Sequence, residues 1–181
     1  MNLPNLITLG RILLVPVIVW AITSGQMAVA FVLFFIAGVS DAVDGYLAKR
    51  FDMRSEIGAL LDPLADKCLL VSIYIALGMT ADVPRWLVIL VVSRDIIIIG
   101  AVMVSWLVDR PVPMKPLMVS KLNTVAQVVY AGLILFALGF GFVIKPFDII
   151  LMAIVTVLTL LSVSFYLVEW VRHMNTFEPE R

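Results

Sequence analysis

Six apolar runs, each about 20 residues long and so able to cross a bilayer's hydrocarbon core as a helix, govern what this chain can fold into. They lie near residues 6–23, 27–50, 58–79, 84–108, 118–141 and 147–171. Turn chemistry falls between them: Ser24-Gly25-Gln26, the charged stretch 50–57, residues 80–84, a segment 109–116 with Pro111, Pro113 and Pro116, and residues 141–146. The fold class expected is all-α, a polytopic membrane protein of six transmembrane helices in a single domain spanning residues 1–181. A composition 62% hydrophobic and 14% charged agrees, because no soluble domain of this size needs so much apolar surface. Zero net charge argues against a nucleic-acid or other general polyanion binder.

Charge at the helix ends sets the orientation. Lys49, Arg50 and Arg54, then Arg110 and Lys115, then Arg172 and Arg181 fall on one side, against Arg85 and Lys145 on the other. The positive-inside rule then places both termini in the cytoplasm. The N-terminus has no Lys or Arg ahead of its apolar run and no A-x-A-like site after it, so a cleavable signal peptide is not expected. Residues 2–11, with Pro4, Asn5 and Thr8 ahead of Arg11, are polar for the start of a span. Two readings fit them: an interfacial segment leading into helix 1, or a polar cap with a snorkelling Arg11. Trp20, Trp86, Trp106 and Trp170 near predicted helix ends suit an aromatic belt, and Cys68 in an apolar run reads as a small buried hydrophobe.

Four carboxylates interrupt this pattern: Asp41-x-x-Asp44-Gly45, then Gly58-x-x-x-Asp62-x-x-x-Asp66. Each ionised carboxylate within a membrane helix costs ~2.5–3.5 kcal/mol on insertion scales, so the set needs compensating cations or a function. Spacings of three and four put Asp41 with Asp44, and Gly58 with Asp62 and Asp66, on single helix faces. Were helices 2 and 3 antiparallel about residues 51–57, Asp41 would lie opposite Asp66 and Asp44 opposite Asp62. Such a cluster opens toward the cytoplasm. Hard oxygen donors without His or Cys select Mg²⁺ or Mn²⁺ over zinc. Two such ions suit displacement at phosphorus. Gly45 and Gly58 let a ligand approach the backbone closely.

The stretch Asp41-Ala42-Val43-Asp44-Gly45-Tyr46-Leu47-Ala48-Lys49, then Gly58 to Asp66, resembles the signature of the CDP-alcohol phosphotransferases, D-x2-D-G-x2-A-R-x8-G-x3-D-x3-D. Only Lys49 departs from it, keeping the charge of the usual arginine but losing its planar fork. The opening Pro4-Asn5-x-x-Thr8-x-x-Arg11 extends the resemblance. What the resemblance implies is transfer of a phosphatidyl group from CDP-diacylglycerol to an alcohol, releasing CMP, by a homodimer with two metal ions. Asp41, Asp44, Asp62 and Asp66 would be metal ligands, with Asp66 also the candidate general base. Asn5, Thr8, Gly45, Ala48, Lys49 and Gly58 would bind the nucleotide. The expected location is a bacterial inner membrane.

For the acceptor, Arg94, Lys121, Asn123 and Thr124 are the candidates, cations and polar groups able to meet an acceptor phosphate. A purely structural Arg94 paired with a carboxylate is the alternative. Asp95, about 100° further round the helix, is expected to pair elsewhere. Ser93-Arg94-Asp95 and Ser120-Lys121-Leu122-Asn123-Thr124 resemble cardiolipin synthases of this family, where phosphatidylglycerophosphate synthases usually carry Arg-Glu and Lys-x-Lys-Thr. A neutral Asn123 in place of lysine suits phosphatidylglycerol, a diester of one charge, better than glycerol 3-phosphate, with close to two. Glycerol 3-phosphate remains the second reading. A rival of another class is a divalent-cation or proton-coupled transporter, for which intramembrane carboxylates are also expected.

Overall fold

The structure is a computed structural model that describes the backbone of residues 3–50, 56–107 and 118–176, and the side chains of residues 8–43, 65–101, 103–105, 107 and 118–172. Among these residues the fold is all-helical: α1 (Leu3–Thr23), α2 (Met27–Arg50), α3 (Glu56–Met79), α4 (Arg85–Leu107), α5 (Met118–Phe140) and α6 (Phe147–Thr176). The apolar runs of the sequence thus become the helices, with ends displaced by a few residues at most. Three of them are long and apolar enough to cross a membrane: Arg85–Ser105 of α4, Met118–Phe140 of α5 and Phe147–Arg172 of α6. In α1 and α2 the described apolar stretches are shorter, Thr8–Thr23 and Met27–Val43.

Residues 3–11 belong to the same helix as residues 12–23. Arg11 is 1% exposed, which a snorkelling side chain would not be. Large apolar side chains such as Leu13, Phe35, Ile89, Met103 and Phe165 face outward, the surface that lipid would cover. Cys68 is exposed as well, contrary to its expected burial; with apolar side chains on both faces of such a helix, hydrophobicity alone does not say which face is inside.

Three helix ends share one device. At the end of α1 the Gln26 amide donates to the Ala21 carbonyl at 2.8 Å and the Gly25 amide to Ile22 at 3.0 Å, with Gly25 at φ +75. The end of α5 repeats it, with Gly141 at φ +73 and Phe142 donating to Ala137 at 3.0 Å. The left-handed residue lets the chain turn back on the last carbonyls, and glycine adopts it without a steric penalty. At the end of α3 the same turn, Asp82 donating to Leu77 at 3.0 Å, falls on Ala81 at φ +63.

The helices group into two compact units. The first comprises residues 1–85 and 131–145. In it α1 packs against both α2 and α3, around Ile18, Ala21, Ile22, Ala30, Ala37, Ile73, Tyr74 and Leu77. The end of α5 meets the start of α2 closely enough that a Cβ on Gly139 would lie 2.7 Å from Ala28 Cα. Beside it Phe31, Phe136, Phe140 and Phe142 form an aromatic cluster. The second unit comprises residues 86–130 and 146–181, with Val91, Tyr130 and Val155 inside. Within it Trp170 of α6 donates its indole N–H to Ser105 Oγ of α4 at 2.9 Å.

Candidate functional site

Each of the first three helices carries an apolar stripe that turns polar toward one end. On α2, Ala30, Phe34 and Ala37 are buried, and the next position at that spacing is Asp41. On α3 the stripe of Leu77, Ile73 and Leu69 runs back to Ala65 and Asp66. On α1 the face that buries Ile22 and Ile18 also buries Arg11 and Thr8. Helical spacing therefore directs a guanidinium and two carboxylates toward the same three-helix junction.

There they meet. Arg11 Nη1 lies 2.7 Å from Asp41 Oδ1, and the same nitrogen donates to Asp66 Oδ1. Asp41 and Asp66 are thus brought together by a shared partner on α1, while the expected pairing of Asp44 with Asp62 falls outside the described side chains. The carboxylates stay half-exposed, 43% for the Asp41 side chain and 47% for Asp66, while the arginine between them is sealed off. Burying a guanidinium is tolerable only with such pairing, and these charge-assisted bonds supply it. Arg11 is the site residue that sequence reasoning missed. Its position on the stripe of Ile18 and Ile22 marks it as inward-facing, but not which acids it meets.

The side chains of Asn5, Asp44, Gly45, Ala48, Lys49, Gly58 and Asp62 lie outside the described residues, although all of these positions fall within α1, α2 or α3. Among the described residues no group of three or more His, Cys, Asp or Glu side chains comes together. The donor set that is described, two ion-accessible carboxylates with no nitrogen or sulfur ligand beside them, fits a hard divalent cation.

The acceptor candidates divide differently. Arg94 is buried in the second unit, donating to Ser162 Oγ from Nε at 3.2 Å and from Nη2 at 2.9 Å. It also donates to Ser120 Oγ and, from Nη1, to Asp95 Oδ1 at 2.5 Å. Pairing of Asp95 away from Arg94 is therefore corrected: long side chains on successive residues bend toward each other when both are buried, since an unpaired charge there is costly. Asn123 is fully buried and accepts from Thr159 Oγ1 at 2.9 Å, and Gln127 Nε2 approaches the same hydroxyl at 3.5 Å. Lys121 and Thr124 are exposed, Thr124 Oγ1 donating back to the Ser120 carbonyl at 3.1 Å.

A polar stripe accounts for the inward set. Ser120, Asn123, Gln127 and Tyr130 recur at three- and four-residue spacing on α5, and α6 answers with Ser162, Thr159 and Asp148. Tyr130 donates to Asp148 Oδ1 at 3.0 Å. Gln127, Tyr130, Thr159 and Ser162 were not singled out in the sequence, where lone polar residues in apolar runs carry little signal until their partners are known.

Comparison with known proteins agrees with the residues. The profile of the family described as CDP-alcohol phosphatidyltransferase matches residues 1–168. A cardiolipin synthase (CMP-forming)/mitochondrial hydrolase fusion protein of Schizosaccharomyces pombe is 34% identical over 149 residues, 74% of this chain and 25% of that protein. The cardiolipin synthase (CMP-forming) of Homo sapiens is 31% identical over 157 residues, 78% of this chain and 52% of its own length. A CDP-diacylglycerol–glycerol-3-phosphate 3-phosphatidyltransferase of Bacillus subtilis is 35% identical over 163 residues, 81% of this chain and 83% of that protein. The chain thus spans a quarter to about half of the two cardiolipin synthases and most of the bacterial enzyme.

Proposed function

We propose that this chain, which belongs to the CDP-alcohol phosphatidyltransferase family, transfers a phosphatidyl group from CDP-diacylglycerol to an alcohol with release of CMP. The observation that carries the reading is the junction of Asp41, Asp66 and Arg11, inside the matched residues and built from the first and last aspartates of the signature. When bound, two Mg²⁺ or Mn²⁺ ions supply charge neutralisation for a diphosphate. Asp41, Asp44, Asp62 and Asp66 are the residues that would hold them. Asp66 would also serve as the base, taking the proton of the acceptor hydroxyl as that oxygen attacks the lipid-bearing phosphorus and the bond to CMP breaks. Asn5, Thr8, Gly45, Ala48, Lys49 and Gly58 line the nucleotide side in this reading. The six helices all span a bacterial inner membrane, with the aspartates opening to the cytoplasm and the protein a homodimer.

For the acceptor we favour phosphatidylglycerol, making cardiolipin. The neutral Asn123, tied to Thr159, stands where a second lysine would suit a more highly charged acceptor. Lys121 and Thr124, exposed on α5, complete the acceptor set, while Arg94, enclosed by Asp95, Ser120 and Ser162, fits the structural alternative. Glycerol 3-phosphate is the second reading, favoured by the relative from Bacillus subtilis, which this chain matches over most of its length. The test supplies purified protein with labelled CDP-diacylglycerol, Mg²⁺ and either acceptor, followed by chromatography of the lipids. Cardiolipin formed from phosphatidylglycerol is the result expected. Phosphatidylglycerophosphate alone would transfer the assignment to the second reading, and no CMP with either acceptor would remove the proposed chemistry.

A further inference from the structure

Arg11 has a property that a mere helix-packing arginine would not share. A single nitrogen, Nη1, contacts one oxygen from each of two carboxylates carried by different helices. It therefore stands in contact with both of the acids that would hold a cation. The guanidinium is tethered on α1 and 1% exposed, so it stays in place without help from solvent. The carboxylates are 43% and 47% exposed, so ions can reach them. A fixed positive charge in contact with both acids satisfies them in the absence of metal and repels a second cation that arrives from solution.

Resting on the metal-site reading of Asp41 and Asp66, we propose that Arg11 is the built-in counter-ion of this site. It holds the two carboxylates together when no divalent cation is bound, and it competes with such a cation for them. Metal binding then loosens the Arg11 contacts, so that Arg11 sets how tightly the site holds its ions. Arg11 is on this view a positioning residue, acting through the two aspartates.

Mn²⁺ binding, followed by the electron paramagnetic resonance of the free ion, tests this on full-length protein in detergent. Arg11→Met keeps the length and removes the charge. Its affinity for Mn²⁺ should rise about tenfold, the scale on which one neighbouring charge shifts an ionic equilibrium, while its metal-free form unfolds at a lower temperature than wild type. General disruption of the junction would lower the affinity, so the direction separates competition from a purely structural role. Unchanged or weaker Mn²⁺ binding overturns the proposal. If the methionine variant does not fold, Arg11→Gln carries the test: it keeps hydrogen-bond donors for the two acids but no charge, so affinity should again rise, and affinity at or below wild type overturns the proposal. A wild-type protein that binds no Mn²⁺ would sink the metal-site reading itself, whereas wild-type binding with unaltered variants would sink only the competition.

Discussion

Two buried arginines, Arg11 and Arg94, serve opposite ends. Arg94 sits among Asp95, Ser120 and Ser162 in the second unit, with its near neighbours buried or half-buried alongside it. Arg11 is equally sealed, yet its two carboxylate partners remain half-exposed. The first arrangement pairs a buried guanidinium with a buried carboxylate, as a structural ion pair requires. In the second, half-exposed acids are held at a polar junction of three helices, where a dissolved cation can reach them. The same side chain in a membrane helix therefore does not by itself mark a functional centre. Exposure of its partners separates the two cases.

The largest effect should come from the exposed side of that comparison. Asp66→Asn should lower turnover by about 10²–10⁴-fold, the range for loss of a general base, with only a modest fall in unfolding temperature, because an amide oxygen still accepts from Arg11 and Asp41 keeps its charge. Turnover near wild type would remove Asp66 from that role and make the Arg11 junction as structural as the Arg94 one. On the closed side, Arg94→Met leaves Asp95 buried without its guanidinium and should cost about 3–5 kcal/mol of stability, measured by unfolding in detergent. Adding Asp95→Leu to that variant should recover much of the loss. If Arg94→Met left stability intact but raised KM for the acceptor, Arg94 would join the functional class instead.

A smaller loss is expected where neither arginine is involved. Gly139→Val puts a side chain against the Ala28 backbone and should cost about 1–3 kcal/mol through overpacking. Folded variant protein should keep its Mn²⁺ affinity, which distinguishes damage to the scaffold of the first unit from damage to its carboxylates. The smallest effect has the opposite sign. Ala81 occupies the left-handed region at φ +63, so Ala81→Gly should stabilise by ~0.5–1 kcal/mol, relief of strain outweighing the added freedom of the unfolded chain. A destabilised Ala81→Gly would show that the methyl group packs favourably enough to outweigh its strain.

Much of this was legible in the chain itself. Apolar runs of bilayer length and the turn residues between them gave the six helices with ends within five residues, because in such segments the backbone has few alternatives. The Asp41-to-Asp66 pattern gave both the family and the meeting of its outermost aspartates, because three- and four-residue spacings fix a helix face. Arg11 was not legible as a partner of those acids. Its helix is remote in sequence, and only tertiary packing aligns the stripe of Ile18 and Ile22 with Asp41 and Asp66. The pairing of Arg94 with Asp95 was misjudged for a related reason: the angle between adjacent Cβ positions neglects how far long side chains bend to avoid an unpaired buried charge. Thr159 and Ser162 became visible only as the α6 halves of hydrogen bonds whose other halves lie on α5 and α4. Cys68 shows the remaining limit, since in an apolar helix hydrophobicity does not distinguish a core-facing side chain from an outward one.

Locating Mn²⁺ by anomalous scattering in crystals of the wild-type protein would probe the central idea with least intermediate inference. Density flanked by the carboxylates of Asp41 and Asp66 is expected, with Arg11 drawn away from at least one of them. Saturating Mn²⁺ that leaves both acids on Arg11, with no anomalous peak beside either, would contradict it.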